Sequence, residues 1–139
     1  MITLAIIKPD AVGAGKAGKI LAQLESAGFK IRAARLVKLT TAQAEAFYAV
    51  HRERPFYRSL VAFMTSGPAL AVALQRDDAV ARLRDVIGAT DPAEAKPGTV
   101  RKLYAESKER NAIHASDAPE TAAREVAFFF PERELHELA

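Results

Sequence analysis

Ile2-Thr3-Leu4-Ala5-Ile6-Ile7, followed at once by Lys8-Pro9-Asp10, is the stretch that decides the fold. It is short, rich in β-branched residues and almost continuously apolar, which predicts a strand buried on both faces. The segments after it alternate. Ala17, Ile20, Leu21 and Leu24 fall on one helical face with Lys16, Lys19, Gln23 and Ser26 opposite, and Gly28 stands where a C-terminal cap belongs. From Lys30 to Leu39 the odd positions Ile31, Ala33, Val37 and Leu39 are apolar, a strand period with Arg35 as the exception. Thr40 with Gln43 three residues on resembles a capping box and opens a helix through Val50. A second helix is predicted from near Phe56 to Met64, stopped by Ser66-Gly67-Pro68. Leu70 to Leu74 reads as another buried strand. Asp77 or Asp78 caps a helix with Val80, Leu83 and Ile87 inward and Gly88 after it, and Thr90 to Gly98, with Pro92 and Pro97, is a loop. Asp117 with Glu120 marks one more helix start, and Val126 to Phe130 a final apolar segment. The order is β-α-β-αα-β-α-loop-α-β. That predicts an α+β fold, a ferredoxin-like α/β sandwich whose four-stranded antiparallel sheet is covered by helices.

Composition narrows the function. The chain has 139 residues, 20 basic against 17 acidic, and no cysteine. This length suits one domain spanning residues 1–139. Half the residues are hydrophobic and 27% charged, so the chain is neither disordered nor fibrous. Without Cys there is no disulfide framework, thiolate metal site or thiol nucleophile, and the three histidines are the only side chains with unperturbed titration near neutrality. Nothing approaches the ~18 apolar residues of a membrane span, and the N-terminus lacks the layout of a signal peptide. No membrane association and a cytoplasmic location are the resulting expectations.

Two stretches resemble phosphate-binding devices. Gly13-Ala14-Gly15-Lys16-Ala17-Gly18-Lys19 fits the spacing G-x-x-x-x-G-K. A P-loop needs Ser or Thr next, to hold magnesium, and needs the glycines directly after a strand. Here Ile20 follows, and Lys8 to Val12 intervene, so the stretch reads as a surface loop entering a helix. The second is Asn111-Ala112-Ile113-His114-Ala115-Ser116-Asp117, with a His just before a helix start. Unpaired amides and the positive dipole end there favour an anion. A neutral imidazole is a competent nucleophile, since one ring nitrogen keeps a lone pair while a partner holds the other. A His filling a helix-entry turn for structural reasons fits this stretch equally. Arg84 and Arg101 are the kind of cations that phosphoryl transfer asks for around the equatorial oxygens, or else solvated surface charges.

The segment Asn111 to Asp117, as N-x-x-H-A-S-D, resembles the active-site signature of nucleoside diphosphate kinases, bacterial members in particular. Ile6-Ile7-Lys8-Pro9-Asp10 resembles the family's first strand and following lysine, and Tyr48 to Tyr57 its central helical hairpin. Ser66-Gly67-Pro68, Gly88 to Pro92, Lys96 to Arg101 and Glu125 to Phe130 match in order, so the resemblance covers essentially the whole chain. It implies a phosphotransferase that moves the γ-phosphate of a nucleoside triphosphate, mainly ATP, onto nucleoside diphosphates and so maintains nucleotide pools. His114 would be the catalytic nucleophile. Ser116 and Glu125 would hold its ring, and Tyr48 would lie close by. Lys8, Arg84, Thr90, Arg101 and Asn111 would bind phosphates and ribose, with His51 and Arg54 as neighbours, and Phe56 would stack on the base. Mg2+ would ride on the nucleotide phosphates with no protein metal site. The resemblance also implies a homo-oligomer, a tetramer ahead of a hexamer. The chain departs from the family at Ala115, where Gly is commonest, and at Lys108, where relatives place an apolar residue against the base. A competing class, a nucleic-acid module on the same fold, would need a K/R-G-F/Y aromatic motif on the sheet, and none is present; no specific nucleic acid is expected.

Overall fold

A computed structural model describes residues 1–136 of the chain. Strand β1 (Ile2–Ile7) lies inside a four-stranded sheet of order β2-β3-β1-β4, with β2 (Lys30–Val37), β3 (Ala69–Gln75) and β4 (Ile113–Ala115). Every pairing is antiparallel. The continuous apolar run of β1 has its predicted cause. Leu4 and Ile6 point into one core with Phe47, Met64 and Phe129, and Ala5 and Ile7 into a second core with Ile20, Leu83 and Ile113. The first core lies under α3 (Thr41–Phe47), α4 (Tyr57–Met64) and α7 (Pro119–Phe129). The second lies under α2 (Ala17–Ser26), α5 (Ala79–Ile87) and α6 (Val100–Tyr104), with the short α1 (Pro9–Gly13) at its edge. The α+β sandwich is therefore as expected.

Several local readings hold. Thr40 and Gln43 form the full capping box of α3. Arg35, the exception on β2, reaches the C-terminal segment, where its guanidinium bonds the Phe129 carbonyl at 2.9 Å and Glu134 at 2.8 Å. A bulge between Ile31 and Ala33 shifts the alternation and leaves Ile31 outside the core. Gly13 ends α1, Ala14 to Lys16 form the turn, and Ala17 to Lys19 open α2, with Lys19 exposed and Ile20 fully buried, which suits a surface loop entering a helix.

Other readings are corrected. The apolar segment Val126 to Phe130 is not the last strand but the end of α7 and its cap, and the fourth strand is Ile113–Ala115. The reason is periodicity: Ala122, Glu125, Val126 and Phe129 are buried at spacings of three and four, while Ala127 and Phe128 face outward. Three consecutive phenylalanines masked that pattern. His114 consequently sits on a strand, opposite Ile6, and not in a helix-entry turn. Asp117 does not cap α7; Ala118 occupies that position without a side-chain bond. Asp78 precedes α5 in a left-handed conformation and makes no capping bond either. The helix from Thr41 stops at Phe47, and a 3₁₀ turn, Ala49–His51, takes over. Helix α6 emerges after the proline-rich loop, with the Thr99 side chain accepting from the Lys102 amide. The end of the tail, residues 137–139, lies outside the described residues.

Gly88 joins α5 to this loop at φ 88°, and a Cβ there would lie 2.6 Å from Thr99 Oγ1. Both the left-handed backbone and the contact penalise a side chain. Gly88→Ala is expected to lower the unfolding free energy by about 2 kcal/mol or more in urea titrations.

Candidate active site

One end of the sheet, where β1 and β4 meet the loops after α3 and α5, opens into a cavity of about 980 Å³. Lys8, Tyr48, Phe56, Arg84, Thr90, Arg101, Asn111, His114 and Glu125 all line it. His51 lines it too, and Arg54 is not among the lining residues. Ser116 stands behind the wall, fully buried. The residues singled out in sequence therefore converge, although they come from eight separate segments.

His114 is fixed from one side. Its Nε2 lies 2.7 Å from Glu125 Oε1, and the Ser116 hydroxyl donates to the same oxygen at 2.7 Å. An ionised carboxylate only accepts, so the proton between them belongs on Nε2 and the lone pair on Nδ1. Nδ1 has no protein partner among the described residues. Phe47 and Tyr48 meet the imidazole edge to face, with ring centroids 5.4 and 6.0 Å away, and limit its rotation. Both stand at the end of helix α3, Phe47 as its last residue and Tyr48 as its C-cap. Burial pushes the Glu125 carboxyl up; the hydrogen bond and charge of His114, the Ser116 hydroxyl and Arg124 outweigh it and hold the carboxyl below its usual range.

The cations are set differently. Arg101 is 5% exposed, and its guanidinium is held by backbone carbonyls, Nη1 on Gly88 at 3.0 Å and Nη2 on Ile113 at 2.7 Å. Among the described residues no carboxylate pairs with it, and Nε is buried without a partner. Burial, then the Arg84 charge, push it down to about 10, so it stays charged at neutral pH. Arg84 reaches the Ala115 carbonyl at 3.4 Å. Lys8 is buried to 6% exposure; burial and Arg101 push its ammonium down to about 8, partly offset by Asp10 and Glu109. Asn111 donates to the Thr90 carbonyl at 3.3 Å, while its own Oδ1 is buried and unbonded, as is the Tyr48 hydroxyl. Burial, then Glu125, raise the Tyr48 phenol above its usual range and keep it a neutral donor. Burial, then Arg54 and His114, lower the His51 imidazole. Lys8, Arg84 and Arg101, with unpaired polar atoms beside them, form an arrangement that can take an anion. Phe56, 46% exposed, stands at its mouth 5.4 Å from His51, and Lys108 lines the same mouth.

Ala115, the departure from glycine, does not have a positive φ, so its methyl fits the strand without strain. The sequence reading missed Arg124, which lines the cavity and ties α7 to the end of α3 through the Ala46 carbonyl at 3.0 Å. It also missed Asp117, Glu120 and Thr121 as lining residues. Only the helix-start signal at Asp117 and Glu120 hinted that this turn faces the site.

Fold and cavity together describe a class: an α+β sandwich whose sheet end presents a held imidazole to an anion pocket. A family profile described as Nucleoside diphosphate kinase matches residues 2–135. The chain is 57% identical over 134 residues to a nucleoside diphosphate kinase of Bordetella avium, covering 96% of this chain and 95% of that one. It is 54% identical over 134 residues to one of Nitrosospira multiformis, with the same coverage. The fold superposes on the Aquifex aeolicus nucleoside diphosphate kinase with a TM-score of 0.95 at 46% identity, covering 97% of this chain and 98% of the other. It also superposes on the Halobacterium salinarum enzyme in complex with CDP, again at 0.95, with 36% identity and coverage of 100% and 93%. The chain belongs to the nucleoside diphosphate kinase family, and its relatives make it a phosphotransferase.

Because the Glu125 carboxyl is held below its unfolded value of 4.5, its stabilising contribution is present above that pH and is lost as pH falls through the folded value. The stability advantage of the wild type over Glu125→Gln is therefore expected to shrink between about pH 6 and pH 3 in urea titrations. An advantage that grows toward acid would contradict it.

Proposed function

We propose that the chain transfers the γ-phosphate of a nucleoside triphosphate, ATP foremost, to nucleoside diphosphates through a phosphohistidine on His114. The observation that carries this is the pairing of His114 Nε2 with Glu125, which leaves Nδ1 open in a cavity lined by Lys8, Arg84 and Arg101. In the first half-reaction the Nδ1 lone pair attacks the γ-phosphorus, the bond to the β–γ bridging oxygen breaks, and the diphosphate leaves with that electron pair. The imidazole becomes cationic, and the Glu125 carboxylate 2.7 Å from Nε2 stabilises it without taking its proton. In the second, a terminal oxygen of another diphosphate attacks the phosphorus and the N–P bond breaks, returning the lone pair to Nδ1. One binding site serves both halves, hence ping-pong kinetics.

Arg101 and Arg84 supply fixed positive charge for the equatorial oxygens, and Lys8, Thr90, Asn111 and Tyr48 offer further polar contacts to phosphate and ribose. Unbonded Arg101 Nε, Asn111 Oδ1 and Tyr48 hydroxyl are the atoms that a nucleotide would satisfy. Phe56 would stack on the base, a contact that every base accepts, so base and sugar tolerance is broad. The Halobacterium salinarum relative, solved with CDP, supports a nucleotide in this cavity. No group of three or more His, Asp or Glu at ligand spacing occurs among the described residues. Mg2+ carried on the nucleotide phosphates would supply charge neutralisation, and Lys8, Arg84 and Arg101 would hold the phosphates that carry it. Exposed Ile31 and Leu36 on the outer strand β2 are apolar surface that a homo-oligomer, tetramer before hexamer, would cover. No described helix is long and apolar enough to cross a membrane. The role proposed with this activity is the maintenance of nucleotide pools in the cytoplasm.

γ-labelled ATP should give an acid-labile, alkali-stable phosphoprotein, and His114→Ala should abolish it; label retained in that variant sinks the assignment. Lys8 gives a second test. With its ammonium at about 8, the free protein is partly deprotonated above that pH, and a bound phosphate restores the charged form. Calorimetry of ADP binding near pH 8.5 in buffers of different ionisation enthalpy should register net proton uptake, absent in Lys8→Met.

A further inference from the structure

Asp10 lies outside the cavity lining, yet two hydrogen bonds join its segment to the segment that carries the site. The Lys8 amide donates to the Ala112 carbonyl at 2.8 Å, and the Ala112 amide donates to Asp10 Oδ2 at 3.1 Å. Ala112 is fully buried and has φ 74°, a left-handed backbone that an alanine adopts only against a steric penalty. The other non-glycine residue with positive φ among the described residues is the exposed Asp78. Ala112 stands at the point where the chain turns from Asn111, held on the Thr90 carbonyl, into β4, whose first carbonyl holds Arg101 and whose middle residue is His114. Rotation at this residue would move Asn111 relative to His114. The second carboxylate oxygen of Asp10 is buried with no hydrogen-bond partner among the described residues. Such a group is costly to retain, which points to a task for the bond that the first oxygen makes.

We infer that Asp10 is a positioning residue: by accepting the Ala112 amide it holds that residue in the left-handed conformation, so that Lys8, Asn111 and His114 keep one geometry. Asp10 contacts no reacting atom in this role. The inference rests, for its activity readout, on His114 as the phosphoryl carrier, so a second readout independent of activity accompanies it.

The test compares single-turnover labelling from saturating γ-labelled ATP with amide hydrogen exchange at Ala112. Asp10→Ala is expected to slow labelling about 10- to 100-fold, the scale set by misplacement of about 1 Å, and to speed exchange at Ala112. Asp10→Asn, whose amide oxygen can accept the same N–H, should stay within about threefold of wild type. Ala112→Gly added to Asp10→Ala should recover most of the lost rate, because glycine adopts the left-handed backbone without penalty. A rescue at a residue outside the cavity lining, with its carboxylate partner already removed, is not what a general loss of stability produces. An unchanged labelling rate in Asp10→Ala overturns the inference, and so does a slowed rate that Ala112→Gly leaves slow. If Asp10→Ala does not fold, folding and labelling of the double variant support the inference, and failure of both variants counts against it. Should the wild type itself not label, the functional reading fails; the Ala112 amide then decides alone, with protection kept in Asp10→Ala overturning the latch.

Discussion

The hydrogen bond between Glu125 and His114 Nε2 is the interaction on which the rest of the site depends. A free imidazole exchanges its proton between two nitrogens and rotates about its side-chain bonds. Here one carboxylate oxygen receives both Nε2 and the Ser116 hydroxyl, which sets the tautomer, and Phe47 and Tyr48 set the ring plane. The bond spans two elements, β4 and α7, so it exists only when the helix is docked on the sheet. Docking of the helix and fixing of the imidazole are thus the same event.

A second constraint is electrostatic. Arg101, Arg84 and Lys8 repel one another, and burial of two of them adds desolvation cost. Backbone carbonyls of Gly88 and Ile113, not carboxylates, hold Arg101. Carbonyl dipoles fix a guanidinium while leaving its net charge for a ligand; a buried ion pair would have cancelled it. The free protein accordingly carries uncompensated charge and unbonded polar atoms that an anion relieves. The left-handed Ala112 is the local strain that this arrangement carries, and the absence of a side chain at Gly88 is what admits Thr99 beside it.

Most of the fold was legible because its signals are local. The β1 run, the Thr40–Gln43 capping box and the amphipathic face from Ala17 to Leu24 each state their element without reference to the rest of the chain. What misled was the last helix, where Phe128-Phe129-Phe130 hid a period of four, and β4, whose three residues carry too little pattern to announce a strand. The site shows the same division. Residue types at His114, Arg84 and Arg101 suggested phosphate chemistry, but Lys8 and the convergence of the set came only through the resemblance of the whole ordered series. The contacts of Arg124 and Asp10 were illegible for a different reason: each binds a distant main-chain group, and backbone partners leave no mark in side-chain sequence.

The position of the phosphoryl group on the imidazole tests the central geometry most directly. Nitrogen–phosphorus correlated NMR on the isolated phosphoprotein, labelled with nitrogen-15 in histidine, distinguishes the two ring nitrogens. With Nε2 engaged by Glu125 and Nδ1 left as the open ring nitrogen, the account predicts that phosphorus couples to Nδ1 of His114, with the proton still on Nε2. Coupling to Nε2, or to a nitrogen of His51, would contradict the assignment of the nucleophile and of the carboxylate that holds it.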